Sequence, residues 1–426
     1  MSTTVAAGRP LAPESLVDMR DVDPYPLYER MRAVGDVVWD EGMRAWLVLS
    51  HDGCTFVERH EDLFAEPTPG LPGAERIVGR RDIRSLAGGE HDAIHKPLSH
   101  SWRPEPVRPY GPGLVRPLVA DRLARLAETP DLELFADFAR LLPISVVAEV
   151  LGLPPADLRT LDQAKTWMES VLAWRHSYGE DESLVDAAVA ATRALEPALL
   201  DTVRDRRDRP RDDTISLLWE AGRARFPDWG EQDVLDNAKF LFEGGSETTA
   251  FLLCNVVHLL LDLPREERMA WTVSCPTLGP FLEETLRHTT VVHLRARRAT
   301  QDVALGGVVV PEGERVIAVN AAANRDPQRW PDPARFDPSR PRLYGHLAFN
   351  VGPRHCAGSH VARVEVTEAV VGLFRAFPDL DRAAGAPGPA SMGFVSRAWR
   401  PLHLGHARRA SEDVRSAVLA PHEDDV

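Results

Sequence analysis

Residues 231–263 constrain the fold more than any other part of the sequence. Their length and spacing predict one long helix, which after Phe240 is apolar around almost its whole circumference. A helix that is apolar on all sides is buried, so we expect a mainly helical protein built around it. The segment also contains the polar run Glu243-Gly-Gly-Ser-Glu-Thr-Thr. Buried polar groups require a reason, and two interpretations remain: a functional site, or an ordinary helix defect with an exposed Glu-Thr-Thr.

The other periodic segments predict further helices and a few short strands. The predicted helices cover residues 117–128, 132–153 and 357–376. The predicted strands lie within residues 37–50, 303–320 and 391–405. The fold class that follows is mainly α with small β-sheets.

No linker divides the chain into separate domains. Its 426 residues would allow two or three domains, but we expect one large domain over residues 14–408. Residues 1–13 are predicted to form a flexible N-terminal tail. Residues 409–426 are polar, with one small apolar cluster, and are predicted to form a disordered C-terminal tail.

Composition excludes several classes of protein. The chain has 50 Lys and Arg against 64 Asp and Glu, a formal net charge of −14. That balance argues against a nucleic-acid binder and against a polybasic membrane anchor. The longest apolar stretch, residues 250–261, is too short to span a bilayer, and the N-terminus lacks the pattern of a secretory signal. We therefore expect a soluble cytoplasmic protein that does not bind membranes.

The most specific short segment is Phe349-Asn-Val-Gly-Pro-Arg-His-Cys-Ala-Gly358. Gly352 and Pro353 predict a tight turn that presents Cys356 just before a helix. The amino end of a helix stabilises a thiolate, which is the form required of a soft axial ligand to heme iron. Gly358 would let a flat macrocycle approach closely. The alternative is that Cys356 is simply a small buried hydrophobe, as most free cysteines are.

Residues 349–358 resemble the cysteine loop of the cytochrome P450 superfamily, Phe-Gly-x-Gly-x-His/Arg-x-Cys-x-Gly. Phe349, Gly352, Arg354, Cys356 and Gly358 match, whereas Asn350 stands where the family usually has Gly. The resemblance implies that Cys356 binds the iron of heme b and that Arg354 binds a heme propionate. It also implies a single domain of the P450 fold that encloses the heme, with Phe349 and Gly358 beside the cofactor.

Two further segments resemble family motifs in the expected order. Glu284-Thr-Leu-Arg287 is similar to Glu-x-x-Arg, and Arg335 resembles the third member of a Glu–Arg–Arg cluster, for which a structural role is implied. Residues 244–249, Gly-Gly-Ser-Glu-Thr-Thr, resemble Ala-Gly-x-Asp/Glu-Thr of the central helix. That resemblance implies room for dioxygen at Gly244 and heme contact at Gly245. It also implies proton delivery by Glu247 and Thr248.

The sequence also contains matches to the family's propionate-binding positions. His91-Asp-Ala-Ile-His95 resembles His-x-x-x-Arg, with His95 in place of the usual Arg. Its i,i+4 spacing would also suit a pair of zinc ligands, although no third ligand lies nearby in the sequence. Arg297 matches a propionate-binding Arg upstream of the small sheet.

The substrate pocket is less readable than the cofactor site. The resemblance implies that it is lined by six residues, for each of which plain core packing is an equal alternative: Phe242, Gly244, Val292, Leu294, Phe394 and Trp174. His293 and Arg295 could meet a polar group of the substrate, but a surface position is the simpler expectation.

The activity implied is insertion of one oxygen atom of O2 into a small hydrophobic or aromatic organic substrate. The chain has no Rossmann-type GxGxxG and no clustered cysteines, so a separate ferredoxin and an NAD(P)H-dependent ferredoxin reductase are expected. Lys96, Arg103 and Arg354 are predicted to receive the ferredoxin, and a monomer is expected. Two alternatives remain: a heme-thiolate enzyme that uses peroxide or needs no redox partner, and a non-catalytic heme sensor.

Overall fold

A computed structural model describes residues 9–154, 158–177 and 181–421 of the chain. These residues fall into two compact units. The first, called here the β-rich unit, comprises Met1–Pro67, Leu286–His355 and Ala390–Ala398. The second, called the helical unit, comprises Thr68–Thr285, Cys356–Pro389 and Trp399–Val426.

Helices dominate the described residues, as the sequence predicts. The α-helices are α1 (Tyr25–Val34), α2 (His51–Arg59), α3 (Ala74–Ile77), α4 (Gly88–Ser101), α5 (Pro104–Val107), α6 (Arg116–Leu126), α7 (Leu141–Leu151), α8 (Leu158–His176), α9 (Glu182–Asp208), α10 (Thr214–Arg225), α11 (Glu231–Leu261), α12 (Arg265–Trp271), α13 (Cys275–His288), α14 (Asn320–Ala323), α15 (Ser359–Ala376) and α16 (Ser411–Leu419). Within the described ranges, every helix is too short or too polar to span a membrane.

The strands are short and form small sheets. They are β1 (Val37–Asp40), β2 (Ala45–Val48), β3 (Phe64–Ala65), β4 (Asp131–Glu133), β5 (Leu294–Ala299), β6 (Val303–Leu305), β7 (Val308–Val310), β8 (Arg315–Val319), β9 (Asp381–Arg382), β10 (Ala390–Gly393), β11 (Arg397–Arg400) and β12 (His403–Gly405). The hairpin predicted within 391–405 corresponds to β10 and β11, which pair with each other.

A five-stranded sheet of order β1-β2-β8-β5-β3 organises the β-rich unit. β2 and β8 run parallel, and the other neighbours are antiparallel. Trp46, Val48 and Val316 are buried on this sheet and pack with Val57 of α2. β-branched and aromatic residues fit a pleated, half-buried surface, which explains why β2 and β8 form strands.

The long helix predicted over 231–263 is confirmed as α11 and forms the centre of the helical unit. It begins after Gly230, whose N–H donates to the Asp233 carboxylate at 2.8 Å. Its second half is buried on nearly every side, including Phe251 and Leu253. α11 contacts α7, α9, α10 and α15, so the elements that surround it belong to the same unit.

The described part of the N-terminal segment does not behave as the predicted flexible tail. The Trp39 N–H donates to the Pro10 carbonyl at 2.7 Å, and the Ala12 N–H donates to the Trp39 carbonyl at 2.8 Å. The Arg9 guanidinium lies 4.2 Å from the Trp39 ring centroid. The open edge of β1 offers unpaired backbone groups, and residues 10–12 bond to them. Residues 1–8 lie outside the described residues.

The C-terminal segment also differs from the predicted disorder, because residues 411–419 form α16. Val414 and Val418 share one face of this helix, are buried, and pack against α6 and α15. The Ser411 hydroxyl donates to the Ala124 carbonyl at 2.8 Å, and Arg375 donates to the Ala420 carbonyl at 3.1 Å. The apolar cluster is therefore large enough to dock the segment on the helical unit. Residues 422–426 lie outside the described part.

We expect the double variant Val414→Ala/Val418→Ala to lose about 2–4 kcal/mol of unfolding free energy, because two buried side chains leave a cavity under α16. The control is Leu419→Ala on the same helix, where the side chain is 43% exposed and the loss should be small. Chemical denaturation of the three proteins measures the difference. Equal stability of the double variant and the control would contradict the docked position of α16.

Candidate active site

The residues of the polar run within α11 lie on two different sides of the helix. Gly244 is exposed and Thr248 is half-buried, and the Thr248 hydroxyl donates to the Gly244 carbonyl at 2.8 Å. Ser246 and Thr249 are buried on the other side. Gly244 and Thr248 thus share a side, as their spacing predicts. The paired glycines do not interrupt α11, which is continuous through them.

The two glycines of this run have different surroundings. A Cβ atom on Gly245 would lie 2.7 Å from Cγ2 of Val147 on α7, so this glycine lets α7 pack closely against α11. Among the described residues, the nearest atom to a Cβ on Gly244 is Cζ of Phe240, at 3.9 Å. The open side therefore belongs to Gly244. Gly245 packs against Val147, and the heme contact expected at Gly245 stays a prediction.

Glu247 is half-buried on α11 and titrates near neutrality. Burial raises the pKa of Glu247 to about 7, and the negative charges of Glu243 and Glu169 act in the same direction. The positive charges of Arg400 and Arg175 oppose that rise in pKa. An acid whose pKa lies near the working pH can both donate and accept a proton efficiently.

Glu243 is a buried carboxylate that the sequence did not mark as a site residue. Arg84 donates to it at 2.6 Å and Arg175 of α8 donates to its other oxygen. Arg84 is itself buried and also donates from Nε to Asp82 at 2.8 Å. The two arginines compensate the charge that α11 would otherwise bury alone. A charged residue within an apolar helix was the available signal, but its partners were not readable.

Cys356 is half-buried and lies three residues before the first residue of α15. Its carbonyl accepts a hydrogen bond from the Ser359 N–H at 3.3 Å, at the amino end of that helix. Free N–H groups and the helix dipole favour a thiolate at such a position. The arrangement predicted from residues 352–358 is therefore present.

The other three thiols are in surroundings that keep them protonated. Burial raises the pKa of Cys275 to about 12. Burial also raises the pKa values of Cys54 and Cys254 far above that of an exposed thiol. A thiolate ligand needs the opposite conditions, so position alone separates Cys356 from the other cysteines.

The loop before Cys356 depends on two residues with a positive φ angle. Asn350 has φ +64°, and its side-chain amide donates to the Arg354 carbonyl at 3.2 Å. Asn is among the non-glycine residues that best tolerate this conformation, which explains how it replaces the family's usual glycine. Gly352 has φ +74°, and a Cβ there would lie 2.9 Å from backbone atoms of Glu58 and Arg59. This position requires glycine.

His91 and His95 lie on α4 with their rings stacked, 4.8 Å between centroids and 23° between planes. His91 is buried, whereas His95 is half-buried and hydrogen-bonds through Nδ1 to Ser99 at 3.3 Å. The i,i+4 spacing therefore produces one continuous imidazole surface on α4.

The two candidate propionate-binding arginines of the β-rich unit each bond to a protein carboxylate. Arg297 of β5 donates to Glu66 at 3.1 Å. Arg354 donates from Nε to Glu61 at 3.1 Å. Neither acidic partner was foreseen. Both arginines are mostly buried, so their charges are held in place.

Among the predicted pocket residues of the helical unit, two pack in the core. Trp174 has no exposed surface, and its indole N–H donates to the Pro72 carbonyl at 2.8 Å. Phe242 is also buried. For these two side chains the structure supports the alternative of core packing, and Gly244 remains as an open position.

In the β-rich unit, Leu294 is buried on β5, while Val292 and Phe394 are half-buried. The Arg20 guanidinium lies 4.9 Å from the Phe394 ring centroid. His293 is buried rather than at the surface, and its Nδ1 hydrogen-bonds to the Tyr28 hydroxyl at 3.0 Å. Of the three predicted lining residues, Val292 and Phe394 keep accessible surface.

Arg287 is fully buried and donates to three backbone carbonyls. These belong to Asn324 and Pro333, both at 2.9 Å, and to Arg335, at 3.1 Å. The Arg335 side chain is 68% exposed, so it is the carbonyl of Arg335 and not its guanidinium that meets Arg287. Glu284 is fully buried in the helical unit. These bonds agree with a structural role for Arg287, which fixes the backbone of residues 324–335.

The residues of the helical unit fit a heme held by a thiolate. Cys356 offers one soft ligand, and a Cβ on Gly358 would meet no described atom within 4 Å, so the backbone beside the thiol is open. Gly244 is likewise open on α11, which contacts α15. A thiol at the amino end of a helix, beside open glycine backbone, suits a heme that is held by a thiolate.

Comparison with known proteins agrees with this chemistry. The family profile described as Cytochrome P450 matches residues 201–381. The protein named putative cytochrome P450 140 of Mycobacterium tuberculosis is 31% identical over 412 residues, covering 91% of this chain and 90% of that protein. Cytochrome P450 monooxygenase PikC of Streptomyces venezuelae is 31% identical, covering 84% and 85%.

The fold is shared with solved structures. P450BioI, in complex with an acyl carrier protein ligated to hexadec-9Z-enoic acid, has a TM-score of 0.79 and 25% identity. The alignment covers 90% of this chain and 99% of P450BioI. Fold and site thus define a heme-thiolate oxidoreductase. The chain belongs to the cytochrome P450 family, whose cofactor is heme b.

Substitutions at the positive-φ residues test the loop that precedes Cys356. We expect Gly352→Ala to lower heme content and melting temperature, because its Cβ would contact the backbone at Glu58 and Arg59. Asn350→Gly should be close to the parent, whereas Asn350→Ala should lose about 1 kcal/mol because Ala tolerates φ +64° poorly. Heme absorbance and thermal unfolding measure all three. Full heme content and an unchanged melting temperature in Gly352→Ala would contradict the loop conformation.

Proposed function

We propose that this P450 is a monooxygenase that inserts one atom of O2 into a small hydrophobic or aromatic organic substrate. It takes its electrons from a separate ferredoxin with an NAD(P)H-dependent reductase and acts as a cytoplasmic monomer. The observation that carries the proposal is Glu247, an acid with a pKa near 7 next to Thr248 on a buried helix. A peroxide-using enzyme or a heme sensor has no need of such a proton relay.

Two relatives have names that agree with oxygen insertion. One is the monooxygenase PikC, and another is 6-deoxyerythronolide B hydroxylase of Saccharopolyspora erythraea, which is 29% identical over 390 residues. We take from them only the reaction class, because the pocket residues of this chain do not identify the substrate.

Cys356, at the amino end of α15, would hold the heme iron through its sulfur. The bound heme supplies the activation of dioxygen, to which the thiolate contributes electron density. In the helical unit, His91 and His95 are the proposed donors to a propionate. In the β-rich unit, Arg297 and Arg354 are the proposed donors to a propionate. They donate hydrogen bonds to Glu66 and Glu61, respectively.

Thr248 and Glu247 are the residues proposed to deliver protons. The Thr248 hydroxyl donates to the Gly244 carbonyl, and rotation about its χ1 lets it hold a water or accept a proton instead. Glu247, being about half ionised near pH 7, takes a proton from solvent and passes it to that hydroxyl. The apolar remainder of α11 excludes other water.

We propose that two exposed cations of the helical unit contact the ferredoxin. Lys96 and Arg103 are exposed, and Lys96 pairs with Asp92 at 2.7 Å. Arg354 is only 12% exposed and pairs with Glu61, so it offers little charge to a partner. The proposal therefore retains Lys96 and Arg103.

Thr248→Ala tests the oxygen chemistry. We expect heme and substrate binding to persist, because Ala is a good helix former. Product formed per NAD(P)H consumed should fall about tenfold, with the lost electrons recovered as hydrogen peroxide, because proton delivery is no longer directed. The measurement compares NAD(P)H consumption, product and peroxide in one reaction with reduced ferredoxin and air.

Thr249→Ala is the matched control, since the Thr249 side chain is buried on the other side of α11. It should keep the parent ratio of product to NAD(P)H. If Thr248→Ala also keeps that ratio, the relay is wrong and the peroxide-using alternative becomes the better account.

A further inference from the structure

One face of α11 carries Glu247, Phe251 and His258. Their spacing of 4 and 7 residues places them in line along a helix with 3.6 residues per turn. The segment 399–402, which consists of the last two residues of β11 and the two that follow them, lies against this line. Trp399 stacks on His258 with 4.5 Å between ring centroids, and its N–H donates to Asn255 of α11 at 2.9 Å.

The next residue of that segment, Arg400, packs against two adjacent aromatic rings, whose centroids are 5.6 Å apart. Its guanidinium carbon lies 4.9 Å from the Phe251 centroid and 5.0 Å from that of Phe135. Two residues further on, the Leu402 N–H donates to Glu133 at 2.9 Å. The backbone on both sides of Arg400 is therefore anchored, and its charge lies against the residue one turn after Glu247.

The buried Nε–H of Arg400 has no hydrogen-bond acceptor within the described part of the chain. A buried N–H without an acceptor costs about 1–3 kcal/mol. The Nε–H points along the plane of the guanidinium, and the ring faces of Phe135 and Phe251 offer no acceptor in that direction. A carboxylate reached through one water would supply it.

The charged groups facing Glu247 come from three elements. Arg400 lies on the segment 399–402, Glu243 lies one turn earlier on α11, and Glu169 and Arg175 lie on α8. Arg175 is already bonded to Glu243. Of these two arginines, only Arg175 is bonded to a carboxylate in the described ranges. Among the described residues, Arg400 has no hydrogen bond to a carboxylate.

We propose that Arg400 is a positioning residue for Glu247: packed against Phe135 and Phe251, it holds the relay carboxylate through its Nε–H and one bridging water, and sets the pH at which that carboxylate exchanges protons. This inference rests on the relay role proposed for Glu247. In this proposal Arg400 acts on the reaction through Glu247.

The sign of the effect follows from electrostatics. A positive charge stabilises the carboxylate, so Arg400 lowers the pKa of Glu247 while burial raises it. Removing Arg400 leaves burial, Glu243 and Glu169 in place. The pKa of Glu247 should therefore rise further, and the proton relay should change at a higher pH.

The experiment is an infrared titration of the ferric holoenzyme, in which the protonated carboxyl band of Glu247 is assigned by its loss in Glu247→Gln. We expect Arg400→Gln to move the titration midpoint upward by about one pH unit. Arg400→Lys, which keeps the charge, should move it less. Phe251→Leu, which keeps the arginine but removes one ring, should give a smaller upward shift and provides a test if Arg400→Gln does not fold.

The control is Arg382→Gln, which removes a guanidinium bonded to the far end of α11 at the Leu261 carbonyl. It should leave the Glu247 midpoint unchanged. The inflection of product per NAD(P)H against pH should move with the infrared midpoint in each variant, which a purely structural role of Arg400 would not produce.

A midpoint in Arg400→Gln equal to that of the parent would overturn the inference, as would an equal shift in Arg382→Gln. These results are distinct from failure of the proposed function. If the parent makes no product from O2 with ferredoxin, the monooxygenase proposal fails, and the infrared midpoints still decide whether Arg400 controls Glu247.

Discussion

The chemistry proposed for this P450 depends on one cysteine, Cys356, as the ligand of the heme iron. Burial holds the pKa values of Cys54, Cys254 and Cys275 well above the ordinary range, so these side chains are protonated. Cys356 differs because it is half-buried at the amino end of α15, where free N–H groups favour negative charge. The backbone around it is shaped by residues that accept unusual geometry, above all Gly352 with φ +74°. The proposed ligand therefore differs from the other three cysteines in its position in the fold.

Position in the fold also separates two carboxylates of α11, Glu243 and Glu247. Glu243 is fully compensated, because two arginines donate to it, and removing one partner of such a buried pair typically costs about 3–5 kcal/mol. Glu247, one turn later, is only partly compensated, so burial brings its pKa to about 7. One helix thus carries a carboxylate that accepts hydrogen bonds from two arginines, one of them on α8, and a second carboxylate that is proposed to exchange protons. The difference between them lies in how many guanidinium groups reach each side chain.

The sequence predicted those features that depend on local pattern. Apolar spacing predicted α11, helical period placed Gly244 and Thr248 on one side, and the turn residues predicted Cys356 at a helix start. Features that depend on distant partners were missed. Arg84 and Glu243 are 159 residues apart, so no local signal joined them. The packing of α16 was missed for the same reason: two valines four residues apart form a docking face only when α6 and α15 are present.

The central claim is that the sulfur of Cys356 binds the heme iron, and the absorption spectrum of the ferrous–CO complex tests it most directly. Purified parent protein should give the strongly red-shifted Soret band of thiolate ligation, and Cys275→Ser should give the same band. Cys356→Ser should lose that band while still folding, since a serine is close in size to the half-buried cysteine. Retention of the red-shifted band in Cys356→Ser would contradict the assignment of the ligand and, with it, the site built around it.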